Sequence, residues 1–224
     1  MTPRNWTKYN QERSLEAWLS NIDHGLNKIE IKEVSKREND AIVKLISRTW
    51  KSNLAGQGLD AQQRGYSQMR VVKVERIENP SLFLKYAQNR QDFLRRLEIT
   101  NRLFEFPRVT KIGPIKTTVN MNKNVFTDIH SEINEHYLFH GTSEATVRAI
   151  ANDGLDVRLA GDGMFGRGIY AAECPTKSDH YTGDILSMFD SVMSAIHGKH
   201  REFITYDQNR CSSYPEYIIT YKRV

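Results

Sequence analysis

The segment GMFGRGIYAAECPTKSDHY, from Gly163 to Tyr181, decides how the rest of the chain is interpreted. Its glycines predict a turn, the alternation in "GIYAA" predicts a strand, and "TKSDHY" is typical of a helical turn. Lys177, Ser178 and Tyr181 therefore follow one another at short intervals just after a strand. A segment that only fills a core has little use for this order, so we expect it to line a binding pocket.

Length and composition exclude several classes of protein. The chain has 224 residues, of which 39% are hydrophobic and 26% charged, which is typical of a soluble globular domain with room for an appended arm. No apolar run approaches the ~18 residues of a membrane span, and the first residues lack the apolar core of a signal peptide. We therefore expect an intracellular protein, in the nucleus or cytoplasm, without a membrane partner. Two cysteines, Cys174 and Cys211, are too few for a disulfide framework or a zinc site.

The net charge of +5 is unevenly distributed. Residues 1–133 carry 23 basic and 15 acidic side chains, whereas residues 134–224 carry 9 basic and 12 acidic ones. The basic first part could attract nucleic acid, which keeps a basic nucleic-acid-binding protein as one alternative. The charges are interleaved, as in EIKEVSKREND, and this pattern favours solvated helix faces.

Local patterns predict a polar, partly helical arm over residues 1–39 and one domain over residues 40–224. Asp40 is expected to cap the first helix of that domain, and further helices are predicted over "SEATVRAIANDG" and from Pro80 to about Leu97. The predicted strands are MRVVKVERI, TTVNM, HYLFH, GIYAA, REFITYD and EYIITYK. These patterns indicate sheets with short helices, but by themselves they do not select one fold.

Several phrases occur in an order that characterises one family. They are LFHGT, GMFGRGIYAAE, KSDHY, FDSVMS, REFITYD and PEYIITY. From about residue 40 to residue 224 the chain resembles the catalytic domain of the poly(ADP-ribose) polymerase (PARP) family, with tankyrase-like features. The resemblance implies an α+β protein with the ADP-ribosyltransferase fold, in which two mainly antiparallel sheets pack together with short helices and NAD binds between the sheets. It also implies an enzyme that transfers ADP-ribose from NAD to protein acceptors, and it leaves open whether the enzyme extends poly(ADP-ribose) chains.

The resemblance also assigns the residues that would bind NAD as the substrate. His140 would hydrogen-bond the adenosine-side ribose, and the backbone of Gly141 would bind the nicotinamide amide. Tyr170 and Tyr181 would hold the nicotinamide ring between them, since aromatic rings favour offset stacking. Ser178 would offer its hydroxyl to the carboxamide oxygen.

The resemblance adds Glu202 to His140 and Tyr170 as the third catalytic residue. A carboxylate beside the reacting ribose can bind its 2′-hydroxyl, stabilise developing positive charge and help to activate an acceptor hydroxyl. Glu216 in YPEYIITY is a competing candidate, because it also opens a predicted strand. The order of the family's phrases favours Glu202, and Glu216 is expected to be a strand-edge charge without a special role.

The connection between Tyr181 and Glu202 departs from the family. It spans 21 positions (202 − 181), where family members have several tens of residues that include a core strand and a hairpin. We therefore expect an internal deletion that removes a central strand. The zinc-binding loop of tankyrase-like members would fall in the same stretch, so no metal is predicted. A catalytically inactive module that binds NAD or nicotinamide remains the second alternative.

Overall fold

A computed structural model gives the fold. It describes residues 3–9, 29–57, 65–100, 113–126, 129–163, 165–181, 185–190, 194–197, 200–207 and 212–224. The helices are α1 (Lys36–Thr49), α2 (Pro80–Thr100), α3 (Lys116–Asn120), α4 (Glu144–Asp153) and α5 (Pro175–Asp179). The strands are β1 (Glu30–Glu33), β2 (Met69–Glu78), β3 (Tyr137–Thr142), β4 (Asp162–Gly163), β5 (Gly166–Arg167), β6 (Ile169–Ala172), β7 (Ile185–Asp190), β8 (Ser194–His197), β9 (His200–Thr205) and β10 (Tyr214–Arg223). Among the described helices, none is long and apolar enough to cross a membrane.

Eight strands form an antiparallel sheet in the order β1-β2-β10-β7-β3-β6-β9-β8, and β4 and β5 form a separate small hairpin. Strands β3 and β6 share the residue pair Phe139 and Ala172, whereas β3 and β7 pair over six positions. The sheet therefore divides at the β3–β6 junction into a five-strand half and a three-strand half. This arrangement of helices and antiparallel strands confirms the predicted α+β class.

Helix α1 covers one face of the five-strand half. Its N-cap is Ser35, whose hydroxyl accepts from the backbone N–H of Glu38 while the Glu38 carboxylate accepts from Ser35. This reciprocal pair satisfies two N–H groups that a helix start would leave without partners. The helix therefore begins before Asp40, and the prediction that Asp40 caps it is wrong. Its buried side chains, such as Ile42 and Leu45, join the main core cluster.

Local sequence signals predict helix α4 correctly and helix α3 incorrectly. Ser143 caps α4 and Gly154, with φ of +81°, ends it, as the sequence predicts. The TTVNM stretch was predicted to be a strand, but residues 116–120 form helix α3. The helix fully buries Thr117, and Ile115 just before it packs with core residues of β3 and β9. Tertiary burial thus overrides the β preference of a Thr- and Val-rich segment.

The predicted loss of a central strand is wrong. Strand β7 lies between β3 and β10 and pairs with both, so that Ser187 is opposite His140 on one side and Ile218 on the other. The short connection after Tyr181 therefore still supplies a strand that closes the middle of the sheet. That the connection is shorter than in family members stays a prediction.

The described parts of the predicted arm lie against the sheet. Strand β1 pairs with β2, and Trp6 is buried against Phe83 and Tyr214, with ring centroids 5.4 and 6.2 Å away. The backbone N–H groups of Thr7 and Lys8 donate to the buried Glu78 carboxylate at 2.8 and 2.9 Å.

Glu216 is not the strand-edge charge that the sequence predicted. Strand β10 lies between β2 and β7, so it has no free edge. Glu216 is 7% exposed and accepts hydrogen bonds from the Tyr137 hydroxyl at 2.6 Å and from Asn5 Nδ2 at 3.0 Å. Burial raises the pKa of Glu216, although these donors act in the opposite direction.

Candidate active site

His140 lies on β3 at the junction between the two halves of the sheet. Its Nδ1 atom is 2.7 Å from the backbone oxygen of Tyr170. A carbonyl oxygen only accepts, so Nδ1 carries the hydrogen in this contact. Burial lowers the pKa of His140, and the bond to Tyr170 opposes that shift. The neutral ring then has Nε2 as an acceptor, a suitable partner for a ligand hydroxyl.

Tyr170 is held by the glycine-rich β4–β5 hairpin. Its hydroxyl donates to the backbone oxygen of Gly166 at 2.8 Å and accepts from the backbone N–H of Phe165 at 3.0 Å. A Cβ atom at Gly163 would lie 2.5 Å from both Cζ and the hydroxyl oxygen of Tyr170. Glycine at 163 therefore lets the hairpin backbone lie directly against the tyrosine ring.

Glu202 lies on β9, which pairs with β6. Tyr170 is opposite Ile204, and Ala172 is opposite Glu202. Residues opposite one another in an antiparallel pair share a face, and every second residue along a strand does so too. Tyr170 and Glu202 therefore project from the same face of the three-strand half. Glu202 is buried there, at 6% exposure.

Lys177 and Tyr181 surround the Glu202 carboxylate. The Lys177 Nζ atom lies 3.6 Å from Glu202 Oε1, and the Tyr181 hydroxyl lies 3.4 Å from the same oxygen. Lys177 Nζ also lies 4.8 Å from the centroid of the Tyr181 ring, within the range of a cation–π contact. The tyrosine itself is 44% exposed. A buried carboxylate, an ammonium group and an accessible aromatic ring thus meet at one place.

Ser178 connects α5 to β3. Its hydroxyl is buried and donates to the backbone oxygen of Phe139 at 2.8 Å. The adjoining β3 residues, His140 and Gly141, are half-buried. In this orientation Ser178 Oγ is an acceptor that suits the NH₂ of a carboxamide. A bond to the carboxamide oxygen, as the sequence predicted, would require the hydroxyl to rotate away from Phe139.

The structure places the predicted residues in two connected groups. His140 contacts Tyr170, Tyr181 contacts Glu202, and the shared face of β6 and β9 links the groups. The sequence analysis gave no role to Lys177. Its spacing of four residues from Tyr181 is the signal that indicates a contact, because residues four apart are neighbours on a helical turn. Within the described residues, no cluster of three or more His, Cys, Asp or Glu side chains could hold a metal ion.

A model of the poly(ADP-ribose) polymerase catalytic domain matches residues 51–193. The chain belongs to this family. Its fold is therefore the ADP-ribosyltransferase fold, and family members use NAD as a substrate. The matched range contains the predicted nicotinamide pocket but ends before Glu202, whose assignment therefore depends on the pairing of β9 with β6. Comparison with curated proteins gives no significant match.

Proposed function

We propose that this protein is an NAD-dependent ADP-ribosyltransferase that moves ADP-ribose from NAD to protein acceptors and releases nicotinamide. The observation that carries the proposal is the position of Glu202, buried on the same face as Tyr170 and in contact with the accessible Tyr181. A carboxylate beside an open aromatic ring suits a substrate that combines a flat pyridinium with a ribose.

Nicotinamide binds between α5 and β3 in this proposal. The Tyr181 ring stacks on the pyridinium, while Ser178 Oγ and the backbone of Gly141 bind the carboxamide. Lys177 already lies over one face of the Tyr181 ring, so the nicotinamide takes the opposite face. Tyr170 closes the pocket from the β6 side, supported by the hairpin that fixes its hydroxyl.

His140 binds the adenosine-side ribose through Nε2. The hydrogen bond from Nδ1 to Tyr170 fixes the ring orientation, and the lowered pKa keeps the ring neutral near pH 7. A neutral ring with Nδ1 protonated accepts from a ribose hydroxyl without adding positive charge next to NAD⁺.

Glu202 acts on the reacting ribose. When the bond between C1′ and the nicotinamide nitrogen breaks, its electron pair goes to the nitrogen, and positive charge develops on the ribose. The Glu202 carboxylate stabilises this charge, and the acceptor nucleophile then forms the new bond to C1′. Glu202 also assists removal of the proton that the acceptor loses. Lys177, 3.6 Å away, holds the carboxylate in place by an ion pair.

The proposed acceptor is a protein side chain, and the product is either a single ADP-ribose unit or a chain. By the family resemblance, a glutamate at position 202 permits chain growth, so extension to poly(ADP-ribose) as in tankyrase-like members is compatible with this site. The competing function is a module that binds NAD or nicotinamide without transferring ADP-ribose. Strand β7 weakens that alternative, because the sheet beside the site is closed.

Glu202→Gln tests the proposal, because it keeps the side-chain shape and removes the negative charge. Incorporation of ADP-ribose from radiolabelled NAD should fall by roughly 10²–10³-fold, the scale for one well-placed electrostatic group. Binding of a benzamide-type nicotinamide mimic should change little. Glu216→Gln is the control: it removes another buried carboxylate, so it should lower the melting temperature while the folded protein stays active.

Two results would reject the assignment. Normal incorporation by Glu202→Gln would show that another group stabilises the ribose. A wild-type protein that binds the mimic but incorporates no ADP-ribose would favour the inactive binding module.

A further inference from the structure

Asp179 lies next to Ser178 on α5 and is almost completely buried, at 1% exposure. Its carboxylate accepts hydrogen bonds from the hydroxyls of Tyr66 and Tyr221 and from Arg223 Nε, the last at 3.0 Å. Arg223 Nη2 also donates to the backbone oxygen of Asp179 at 3.2 Å. These donors come from the end of β10 and from the chain just before β2. None of them belongs to the candidate active site.

Helix α5 has only five residues, and a helix of that length is not stable by itself. Its orientation therefore depends on contacts with its surroundings. On one side the backbone N–H of Lys51 donates to Thr176 Oγ1 at 2.8 Å. On another side Ser178 contacts β3. The hydrogen bonds to Asp179 hold α5 on a further side. They involve a charged carboxylate, unlike those of Thr176 and Ser178, and charge-assisted hydrogen bonds are stronger than neutral ones.

The groups that hold Asp179 also contact one another. The guanidinium of Arg223 lies 5.5 Å from the Tyr66 ring centroid and 5.8 Å from that of Tyr221. Backbone hydrogen bonds between Gln68 and Val224 join the segment that carries Tyr66 to the end of β10. Asp179 is thus bonded to the end of β10 and to the segment before β2, while Ser178 contacts β3 and Tyr181 contacts Glu202.

We propose that Asp179 is a positioning residue for NAD. It does not touch the substrate, but it fixes the orientation of α5 so that Ser178 and Tyr181 bind nicotinamide. This inference rests on the proposed function, since it assigns those two residues to the nicotinamide pocket. Side chains that orient a binding group in this way are needed because small displacements at a reacting centre cause large losses of rate.

Asp179→Asn and Tyr66→Phe test the role. The first removes the charge, and the second removes one donor with little change in shape. Glu216→Gln is the matched control, since it removes a second buried carboxylate that accepts from a tyrosine hydroxyl but does not contact α5. At a temperature where all variants are folded, Asp179→Asn should raise the KM for NAD by about tenfold. The kcat should fall less than the KM rises.

Tyr66→Phe should raise the KM in the same direction by a smaller factor, and Glu216→Gln should leave it unchanged. The dissociation constant of a benzamide-type mimic should follow the KM. Unchanged KM in both Asp179→Asn and Tyr66→Phe would overturn the proposal. An equal rise in Glu216→Gln would do the same, because the effect would then follow general loss of stability.

A readout without any ligand separates this inference from the proposed function. With 3-fluorotyrosine incorporated, the ¹⁹F resonance of Tyr181, assigned by the Tyr181→Phe variant, reports the environment of its ring directly. Asp179→Asn or Tyr66→Phe should shift or broaden this resonance, whereas Glu216→Gln should not. If the wild type binds no mimic, the proposed function fails, and the ¹⁹F comparison still decides the positioning role. An unperturbed Tyr181 resonance in both variants would contradict that role.

Discussion

Tyr181 and Tyr206 have nearly the same exposure, 44% and 45%, but different neighbours. The Tyr206 hydroxyl donates to the backbone oxygen of Phe165 at 2.7 Å and so holds the β4–β5 hairpin. The Tyr181 ring lies beside an ammonium group and a buried carboxylate. At the scale of single residues, the chemical surroundings of a tyrosine indicate a binding site better than its exposure does.

Tyr181→Ala should remove most of the rise in melting temperature that a saturating benzamide-type mimic gives to the wild type. The reason is that stacking on the ring supplies much of the affinity, and a ligand stabilises a protein only through its binding to the native state. Val72→Ala, at an exposed position of β2 that two strands separate from β3, is the control and should keep the shift, since the mimic occupies only the nicotinamide site. The comparison is made by thermal denaturation with and without mimic. Equal shifts in both variants would remove Tyr181 from the pocket.

At the scale of elements, β7 decides whether the short connection after Tyr181 leaves a working sheet. Its backbone pairs with β3 across from His140 and Gly141, so it supports the strand that carries these two residues. In a central strand each backbone N–H points toward one neighbouring strand or the other. Strand β8, in contrast, is the last strand of the sheet order.

Leu186→Pro should destabilise the protein by at least the roughly 1–3 kcal/mol of a buried backbone group left without its hydrogen bond, because proline removes an N–H and does not fit a central strand. Ala195→Pro in β8 is the control, and the loss should be smaller there because proline is tolerated on edge strands. Urea denaturation followed by circular dichroism measures both. Similar losses for the two variants would contradict the central position of β7.

The elements that the sequence predicted well carry their own local signals, such as the Ser143 cap and Gly154 at the two ends of α4. The candidate pocket residues could be named from the sequence because the family's phrases are contiguous, and their roles stay predictions. Contacts between distant segments were not predictable. Asp179 and Tyr66 are 113 positions apart, and no local pattern connects them. Helix α3 and strand β7 were missed because burial and pairing partners, rather than local preference, determine their conformation.

At the scale of the whole molecule, the surroundings of the half-buried His136 make stability depend on pH. Burial, with a smaller contribution from the charge of Arg201, lowers the pKa of His136 to about 4. The unfolded chain therefore binds a proton near pH 6.5 that the folded protein does not bind until about pH 4. Because the unfolded state holds more protons in this window, stability falls as the pH falls from about 6.5 towards 4.

His136→Asn should make the free energy of unfolding less dependent on pH. The wild type should lose up to about 1.4 kcal/mol per pH unit more than the variant below pH 6.5, which corresponds to one proton. Other groups, among them Glu216 with its raised pKa, contribute equally to both proteins and cancel in the difference. Urea titrations at pH 7, 6 and 5 measure the two slopes. Parallel slopes would show that His136 takes up its proton as readily in the folded protein as in the unfolded one.

Trp6 and its neighbours also determine when the domain can form during synthesis. Asn5 contacts Glu216, which lies 211 positions later in the chain, and Trp6 packs on Tyr214 of β10. At 5–20 residues per second, a ribosome needs about 10 to 40 s to make the intervening chain. Throughout that time Trp6 lacks part of its pocket, and β2, once it has been made, lacks one of its two neighbouring strands until β10 follows. The nascent chain therefore exposes apolar surface until β10 has been made, which makes it a substrate for chaperones that bind such surface.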